Sequence, residues 1–313
     1  MSGSAPAGAS GHARAIEVAA QAKVNLRLRV LARETSGYHQ LETLFLRLDL
    51  ADTVRVRRTD AARTLDVTGA EGVDALGPVE HNLAWRAAAA YFDASGMRGG
   101  FAIELTKGIP VGGGLGGGSA DAGAVLRALD AMADEPLGAP RLLDLAAHLG
   151  ADVPFLASAH AYALAWGRGA RMLALEPPPS HRALLVVPAF GVNTAAAYGW
   201  LAGSRAAEHV ARRDGIVLEV GALSTWASLA PLAENDFEPV VSARHPEIPR
   251  QIAELRSLGC IVAMMSGSGS TVFGVGASPD FDFDRRDDRT SAEAPRYILT
   301  RTASQVEPLS VIE

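Results

Sequence analysis

Between positions 112 and 118 the chain carries six glycines in seven residues. The stretch reads Ile109-Pro110-Val111-Gly112-Gly113-Gly114-Leu115-Gly116-Gly117-Gly118-Ser119-Ala120-Asp121. Such a run makes poor helix and poor strand, because glycine loses the most backbone entropy on ordering. It suits a loop whose backbone N–H groups must touch a ligand without interference from Cβ atoms. Just before it, Phe101-Ala102-Ile103-Glu104-Leu105-Thr106 alternates like a strand. Just after it, residues 120–132 are rich in Ala and Leu and read as helix. Strand, glycine loop and helix N-terminus together form an anion site, most often for phosphate. The expectation is a loop that holds the phosphates of a nucleotide.

Two familiar phosphate loops do not match. A Walker A loop ends in Gly-Lys-Ser/Thr, with the lysine on the β- and γ-phosphates. Here Gly118 precedes Ser119 and no lysine follows. The spacing G-x-G-x-x-G is met by Gly112, Gly114 and Gly117. A dinucleotide fold, however, places this motif on the first strand of a βαβ unit, with an acid ending the next strand. Here the loop lies deep in the chain, and the residues that follow, around 130–135, read as helix and turn.

The rest of the chain reads as alternating strands and helices. Residues 15–33 alternate as a strand, and residues 41–50 and 53–58 as two more, with Asp52 in a short turn between them. Asn82 opens a helix that Gly96 ends, and a second helix over 141–148 stops at Gly150. Strands follow at 161–166, 172–175 and 183–187, then helices around 194–201, 217–229 and 249–258. Strands at 260–264 and 271–275 flank Ser266-Gly267-Ser268-Gly269-Ser270, and a last strand over 296–302 precedes a polar tail. Pro177-Pro178-Pro179 marks a domain boundary. The expected division is a disordered tail over 1–14, one domain over 15–176 and another over 177–313.

A net charge of −6 argues against a nucleic-acid or membrane-surface partner. Cys260 is the one cysteine, so no intrachain disulfide can form, which suits a reducing compartment. Residues 1–14 lack the apolar core of a signal peptide, and no stretch is long and apolar enough to span a bilayer. These features predict a cytoplasmic protein with no membrane partner, as monomer or homodimer.

Three motifs in order narrow the chemistry. Pro110-Val111 through Ser119-Ala120 resembles the P-x-x-G-G-L-G-S-S-A loop of the GHMP kinases. Ala22-Lys23-Val24-Asn25-Leu26 is similar to the N-terminal motif of that superfamily, and Met265-Ser266-Gly267-Ser268-Gly269-Ser270-Thr271-Val272-Phe273 to its C-terminal glycine motif. The resemblance spans roughly residues 15–302. It implies an α+β, two-domain GHMP kinase fold: a ribosomal-S5-domain-2-like N-terminal domain that carries ATP, and a ferredoxin-like C-terminal domain. Within the superfamily, Gly37-Tyr38-His39, Leu149-Gly150-Ala151-Asp152-Val153-Pro154 and Asn235-Asp236-Phe237-Glu238 resemble the branch that phosphorylates a cytidine diphosphate sugar alcohol from ATP.

The resemblance assigns roles residue by residue. Asp152 matches the base that takes the acceptor hydroxyl's proton. Without the resemblance it would read as a turn or N-cap aspartate. Lys23 matches its partner, although a strand lysine is more often solvated at an edge. Lys23 and Lys107 are the only lysines among 29 cationic residues, which suggests a need for ammonium geometry. Lys107 is a plausible phosphate contact or a surface turn residue. Pro110, Gly112, Gly113, Gly114, Leu115, Gly116, Gly117, Gly118 and Ser119 would wrap the ATP phosphates. Ser119 could also meet Mg²⁺, or serve as a helix N-cap. Asn82 matches an adenine contact and could equally cap its helix. Asn25, Tyr38 and His39 match the substrate side, where an aromatic and an imidazole can stack on cytosine. Tyr198 would supply a second ring, although Gly191-Val192-Asn193-Thr194 is shorter than the family segment and lacks its proline. Two other readings stay open: a GHMP kinase for another alcohol, and a non-catalytic ligand sensor on the same fold.

Overall fold

The computed structural model describes residues 15–33, 39–69, 77–207, 218–283 and 294–312. Two sheets and a set of helices alternate along the chain, in an α+β arrangement. The first sheet is built on a long hairpin, β1 (Ala15–Arg33) and β2 (His39–Thr59), paired antiparallel along most of its length. The order β12-β1-β2-β4-β3 is completed by β3 (Arg63–Gly69), β4 (Gly100–Lys107) and β12 (Leu309–Ile312). The hairpin of β5 (Tyr162–Gly167) and β6 (Arg171–Ala174) joins the other half of β2.

The second sheet runs β11-β7-β10-β9 and is antiparallel throughout. Its strands are β7 (Arg182–Val187), β9 (Cys260–Met265), β10 (Val272–Gly276) and β11 (Arg296–Arg301). Between the sheets, β8 (Glu234–Asn235) pairs with β1 in parallel. The chain thus leaves the first sheet after Ala174, opens the second at Arg182, and returns to the first twice, with β8 and with its last strand.

Two strand expectations are corrected. Residues 41–50 and 53–58 are one strand, β2, and Asp52 lies in its interior opposite Ala20 rather than in a turn. A polar residue beside Ala51 reads as a break, but the local irregularity is a register shift between Gln21 and Lys23, where β2 carries extra residues. The strands β3 and β12 lie in segments that carry no strong alternation; β3 is mostly exposed and β12 is an edge strand.

The helices come close to expectation in the first half of the chain. In α1 (Leu83–Ser95) Asn82 is the N-cap, its Oδ1 accepting the Ala84 N–H at 2.9 Å, and Gly96 is the C-cap. The helix α2 (Gly117–Met132) begins inside the glycine run with Gly116 as N-cap, so Ser119 is its third residue and not the cap. It is followed by α3 (Gly138–Leu149) and the short α4 (Val153–Ala157). In the second half come α5 (Thr194–Ala207), α6 (Trp226–Leu229), α7 (Glu238–Ser242) and α8 (Glu247–Ser257). The single helix expected over 217–229 is a 3₁₀ turn, Val220–Leu223, and then α6. Thr225 restarts the helix by accepting the Ser228 N–H, and Pro231 limits it.

Packing places α4. The helix α2 is apolar around most of its circumference and is buried between the first sheet, α1 and α4. At Gly123 a Cβ would stand 2.5 Å from the Leu156 carbonyl carbon, so only glycine admits the α4 backbone this close. Phe155 of α4 stacks on Phe45 of β2 at 4.9 Å between centroids, worth about 0.5–1.5 kcal/mol beyond burial. The buried Arg47 closes the other end, donating through Nε to the His160 carbonyl and through Nη2 to those of Phe155, Leu156 and Ser158. These carbonyls lie at or just past the end of α4, where helical donors run out, although that of Phe155 also accepts from the Ser158 N–H and hydroxyl. Burial, with Arg127 nearby, pulls the Arg47 guanidinium down to about 9. No helix among the described residues is long and apolar enough to cross a membrane.

Candidate active site

Two adjoining cavities share a wall made by the glycine run. The first, about 360 Å³, is lined by 110–119 together with His81, Asn82, Leu83, Lys107 and Asp121. The second, about 310 Å³, takes Lys23, Asn25, Thr43, Asp152, Thr194, Tyr198, Phe237, Gly267 and Ser268 among its walls. Gly114, Gly116 and Ser119 line both. All the loop residues singled out in the sequence therefore face one cavity, and Lys23, Asn25, Asp152 and Tyr198 face the other.

The loop is held from behind by the second glycine motif. The Gly114 carbonyl accepts from Lys23 Nζ and from Ser266 Oγ, each at 3.0 Å, and the Gly113 carbonyl accepts the Thr271 N–H at 3.2 Å. The carbonyl of the buried Leu115 accepts the Lys23 N–H at 2.9 Å. With its carbonyls taken by the sheet side, the loop can turn N–H groups to the cavity at the start of α2, where the helix dipole favours an anion. Asn235 ties in the same motif, donating from Nδ2 to the carbonyls of Met265 and Gly267 at 2.8 Å each.

Lys23 and Asp152 meet at the shared wall. Lys23 Nζ lies 3.3 Å from Asp152 Oδ2, and the lysine side chain is 4 % exposed against 31 % for the aspartate. Lys23 is therefore no solvated edge residue: β1 is an interior strand, and the ammonium also donates to Asn25 Oδ1 at 2.8 Å. Asn25 is fixed in turn by its Nδ2, which donates to Thr43 Oγ1 at 2.7 Å. Asp152 occupies the N-cap position of α4, yet its side chain makes no capping hydrogen bond. Its carboxylate turns instead toward Lys23 and the cavity.

Lys107 is likewise no surface turn residue. It is buried at the end of β4, and its ammonium meets Asp52 Oδ2 and, at 2.7 Å, Asp121 Oδ2. Asn82 caps α1 and lines the first cavity at the same time.

Tyr198 lines the second cavity, meets Phe237 edge-on at 4.9 Å and stacks at 4.3 Å between ring centroids on His39, which lies behind it and not among the lining residues. Burial and the Asp152 charge push the Tyr198 phenol up to about 12. Tyr38 lies outside the described residues. Thr194 and Ser268 bridge the cavity mouth, hydroxyl to hydroxyl at 2.9 Å. Sequence reasoning passed over Thr43, Thr194, Asp52 and Asp121. Small or acidic residues in strands and helix starts carry no spacing that separates them from ordinary structural ones.

Comparison with known proteins identifies the family. A family model for the GHMP kinases N terminal domain matches residues 82–160, and one for GHMP kinases C terminal matches residues 218–294. A 4-diphosphocytidyl-2-C-methyl-D-erythritol kinase of Geobacter sp. (strain M21) is 39% identical over 261 residues, 83% of this chain and 89% of the relative. The enzyme of that name from Nitratidesulfovibrio vulgaris (strain DP4) is 39% identical over 282 residues, 89% of this chain and 93% of its own. A crystal structure of 4-(cytidine 5'-diphospho)-2C-methyl-D-erythritol kinase superposes with a TM-score of 0.70 at 36% identity, covering 91% of this chain and 98% of the other. Homoserine kinase from Cytophaga hutchinsonii shares the fold at 18% identity, with a TM-score of 0.66 over 98% of this chain and 100% of its own. With two stacked glycine motifs, a buried lysine beside an uncapped aspartate and relatives along most of its length, the chain belongs to the GHMP kinases, among the 4-diphosphocytidyl-2-C-methyl-D-erythritol kinases.

Proposed function

We propose that this protein phosphorylates the 2-hydroxyl of 4-diphosphocytidyl-2-C-methyl-D-erythritol from ATP, a step in the non-mevalonate route to isoprenoid precursors, with Asp152 as the base. The observation that carries the assignment of roles is the Lys23–Asp152 pair, 3.3 Å apart where the two cavities meet. ATP occupies the glycine-lined cavity, with its phosphates on the N–H groups of 112–119, Lys107 nearby and the adenine toward Asn82. The acceptor occupies the second cavity, with its hydroxyl against Asp152 and its cytosine beside Tyr198 and the His39 ring stacked on it. As the hydroxyl oxygen bonds to the γ-phosphorus, its proton passes to Asp152 and ADP leaves. Lys23 orients the carboxylate and offsets the charge that gathers on the oxygens between the cavities.

Among the described residues no group of three or more His, Cys, Asp or Glu could hold a metal ion. A Mg²⁺ that arrives with ATP keeps several waters and needs only one or two protein oxygens beside the phosphates, and the Ser119 hydroxyl in the wall of both cavities is such an oxygen. Ser119, at the junction of the cavities, would hold it, and the ion would neutralise charge on the β- and γ-phosphates.

The test is incubation of the purified protein with ATP, Mg²⁺ and the cytidyl substrate. ADP and a product phosphorylated on the 2-hydroxyl are expected. Folded protein that releases no ADP above background overturns the assignment.

A further inference from the structure

The glycine run is tied at both ends to one buried ammonium. Lys107 precedes the loop and binds Oδ2 of Asp52 and Oδ2 of Asp121. Asp52 is fully buried, and its other oxygen accepts the N–H groups of Gly108 at 2.6 Å and Ile109 at 2.7 Å, where the loop begins. Asp121 stands in the first turns of α2, where the loop ends. The ammonium itself lies 3.4 Å from the point where a Cβ on Gly117 would stand, directly under the start of α2.

This arrangement is a costly way to anchor a loop. Burying three ionisable groups carries a desolvation penalty that their mutual attraction only partly offsets, and an apolar anchor of the same volume is often as stable. Asp121, which lines the first cavity, adds to the cost: its Oδ1 is buried with no hydrogen-bond partner. Burial holds its carboxyl up to about 8, against the pull of Lys107. Burial also works against the Lys107 ammonium, but the two carboxylates outweigh it and hold it above its ordinary value. Groups kept at such cost directly beneath a loop of N–H donors bear on what the loop binds.

We propose that Asp52 and Asp121 are positioning residues for the nucleotide: through Lys107 they hold the two ends of the glycine run in the shape that receives a polyphosphate. This rests on the kinase reading above. Neither carboxylate touches the reacting atoms. In Asp52→Asn the amide oxygen can still accept the Gly108 and Ile109 N–H groups, but an amide nitrogen replaces the oxygen that holds Lys107, which frees the ammonium from the loop's start. Loss of the Asp121 charge frees it from the loop's end. Both changes weaken the grip on phosphate and leave the Lys23–Asp152 pair in place.

The experiment measures binding of ATP by calorimetry and steady-state kinetics at pH 8.5, where most of the Asp121 carboxyl is ionised, for the wild type, Asp52→Asn and Asp121→Asn. For Asp52→Asn the Kd and KM for ATP are expected to rise at least about tenfold, equivalent to about 1.4 kcal/mol. For Asp121→Asn a rise of at least about threefold is expected. In both, kcat stays within about threefold and KM for the cytidyl substrate within about twofold. ATP affinity within twofold of wild type, or equal weakening of both substrates, overturns the proposal. If Asp52→Asn does not fold, Asp121→Asn decides by the same criteria. Wild-type protein that neither binds nor turns over ATP refutes the kinase reading instead, so the two failures are distinct.

Discussion

Replacing Gly114 by alanine tests how tightly the two glycine motifs are fitted together. Gly114 has φ +77°, and a Cβ there would stand 2.4 Å from the Ser266 carbonyl oxygen and 2.9 Å from that of Gly269. Both obstacles are backbone, so neither can rotate away, and one must retreat by close to about 1 Å to reach ordinary contact. The left-handed conformation costs an alanine about 1–2 kcal/mol, and forcing apart packed backbone adds about 1–3 kcal/mol. The sum, roughly 2–5 kcal/mol, corresponds to a fall in Tm of about 4–10 °C at about 2 °C per kcal/mol for a chain of this size. Activity should fall further than stability. The Gly114 carbonyl holds Lys23 Nζ at 3.0 Å, and that ammonium lies 3.3 Å from Asp152. A displacement of about 1 Å at a reacting centre can cost about a hundredfold in rate. Gly112 is the control: its φ is +75° and nothing stands within 4 Å of a Cβ there. Gly112→Ala should meet only the backbone term, about 1–2 kcal/mol, or about 2–4 °C. Thermal melts and kcat for both variants decide. If Gly114→Ala is as stable and as active as Gly112→Ala, the close fit between the motifs is wrong.

Three further outcomes are expected. Asp152→Asn should lower kcat by about a hundredfold to ten-thousandfold with both KM values within a few fold; equal losses in kcat and binding would make Asp152 structural. Tyr198→Ala removes the ring stacked on His39 and should raise KM for the cytidyl substrate by about three- to tenfold, with KM for ATP unchanged; a shift in KM for ATP alone would contradict the placement of the acceptor. Asp121 gives a pH signature. Its carboxyl titrates near 8 in the folded chain and near about 3.9 in the unfolded chain. Between those values the folded state holds a proton that the unfolded state has released, so stability falls as pH rises through this window and levels off above it. Melts from pH 5 to 9 should show that slope in the wild type and a flatter one in Asp121→Asn; parallel curves would refute it.

What was legible in the sequence was local. The strand β4, the glycine run, α2, and α1 between Asn82 and Gly96 follow from periodicity and capping chemistry among neighbours in the chain. The resemblance of three motifs then supplied the fold class and brought Lys23 and Asp152 forward. The sequence alone could not tell a catalytic Asp152 from a helix cap. The missing cap bond and the turn toward Lys23 rule out the cap reading and support the proposed role as base, and both depend on how α4 packs against α2 and Arg47. Asp52 was misplaced in a turn because a buried aspartate inside a strand makes sense only once Lys107 and the loop N–H groups are known to meet it. The stacking of Tyr198 on His39 is of the same kind, since it joins α5 to the start of β2 across the cleft. The sequence by itself determined where backbone flexibility and helix ends must lie, because those are properties of a few adjacent residues. Only the tertiary structure decided which charges are buried together, because desolvation and ion pairing depend on groups that the chain keeps far apart until it folds.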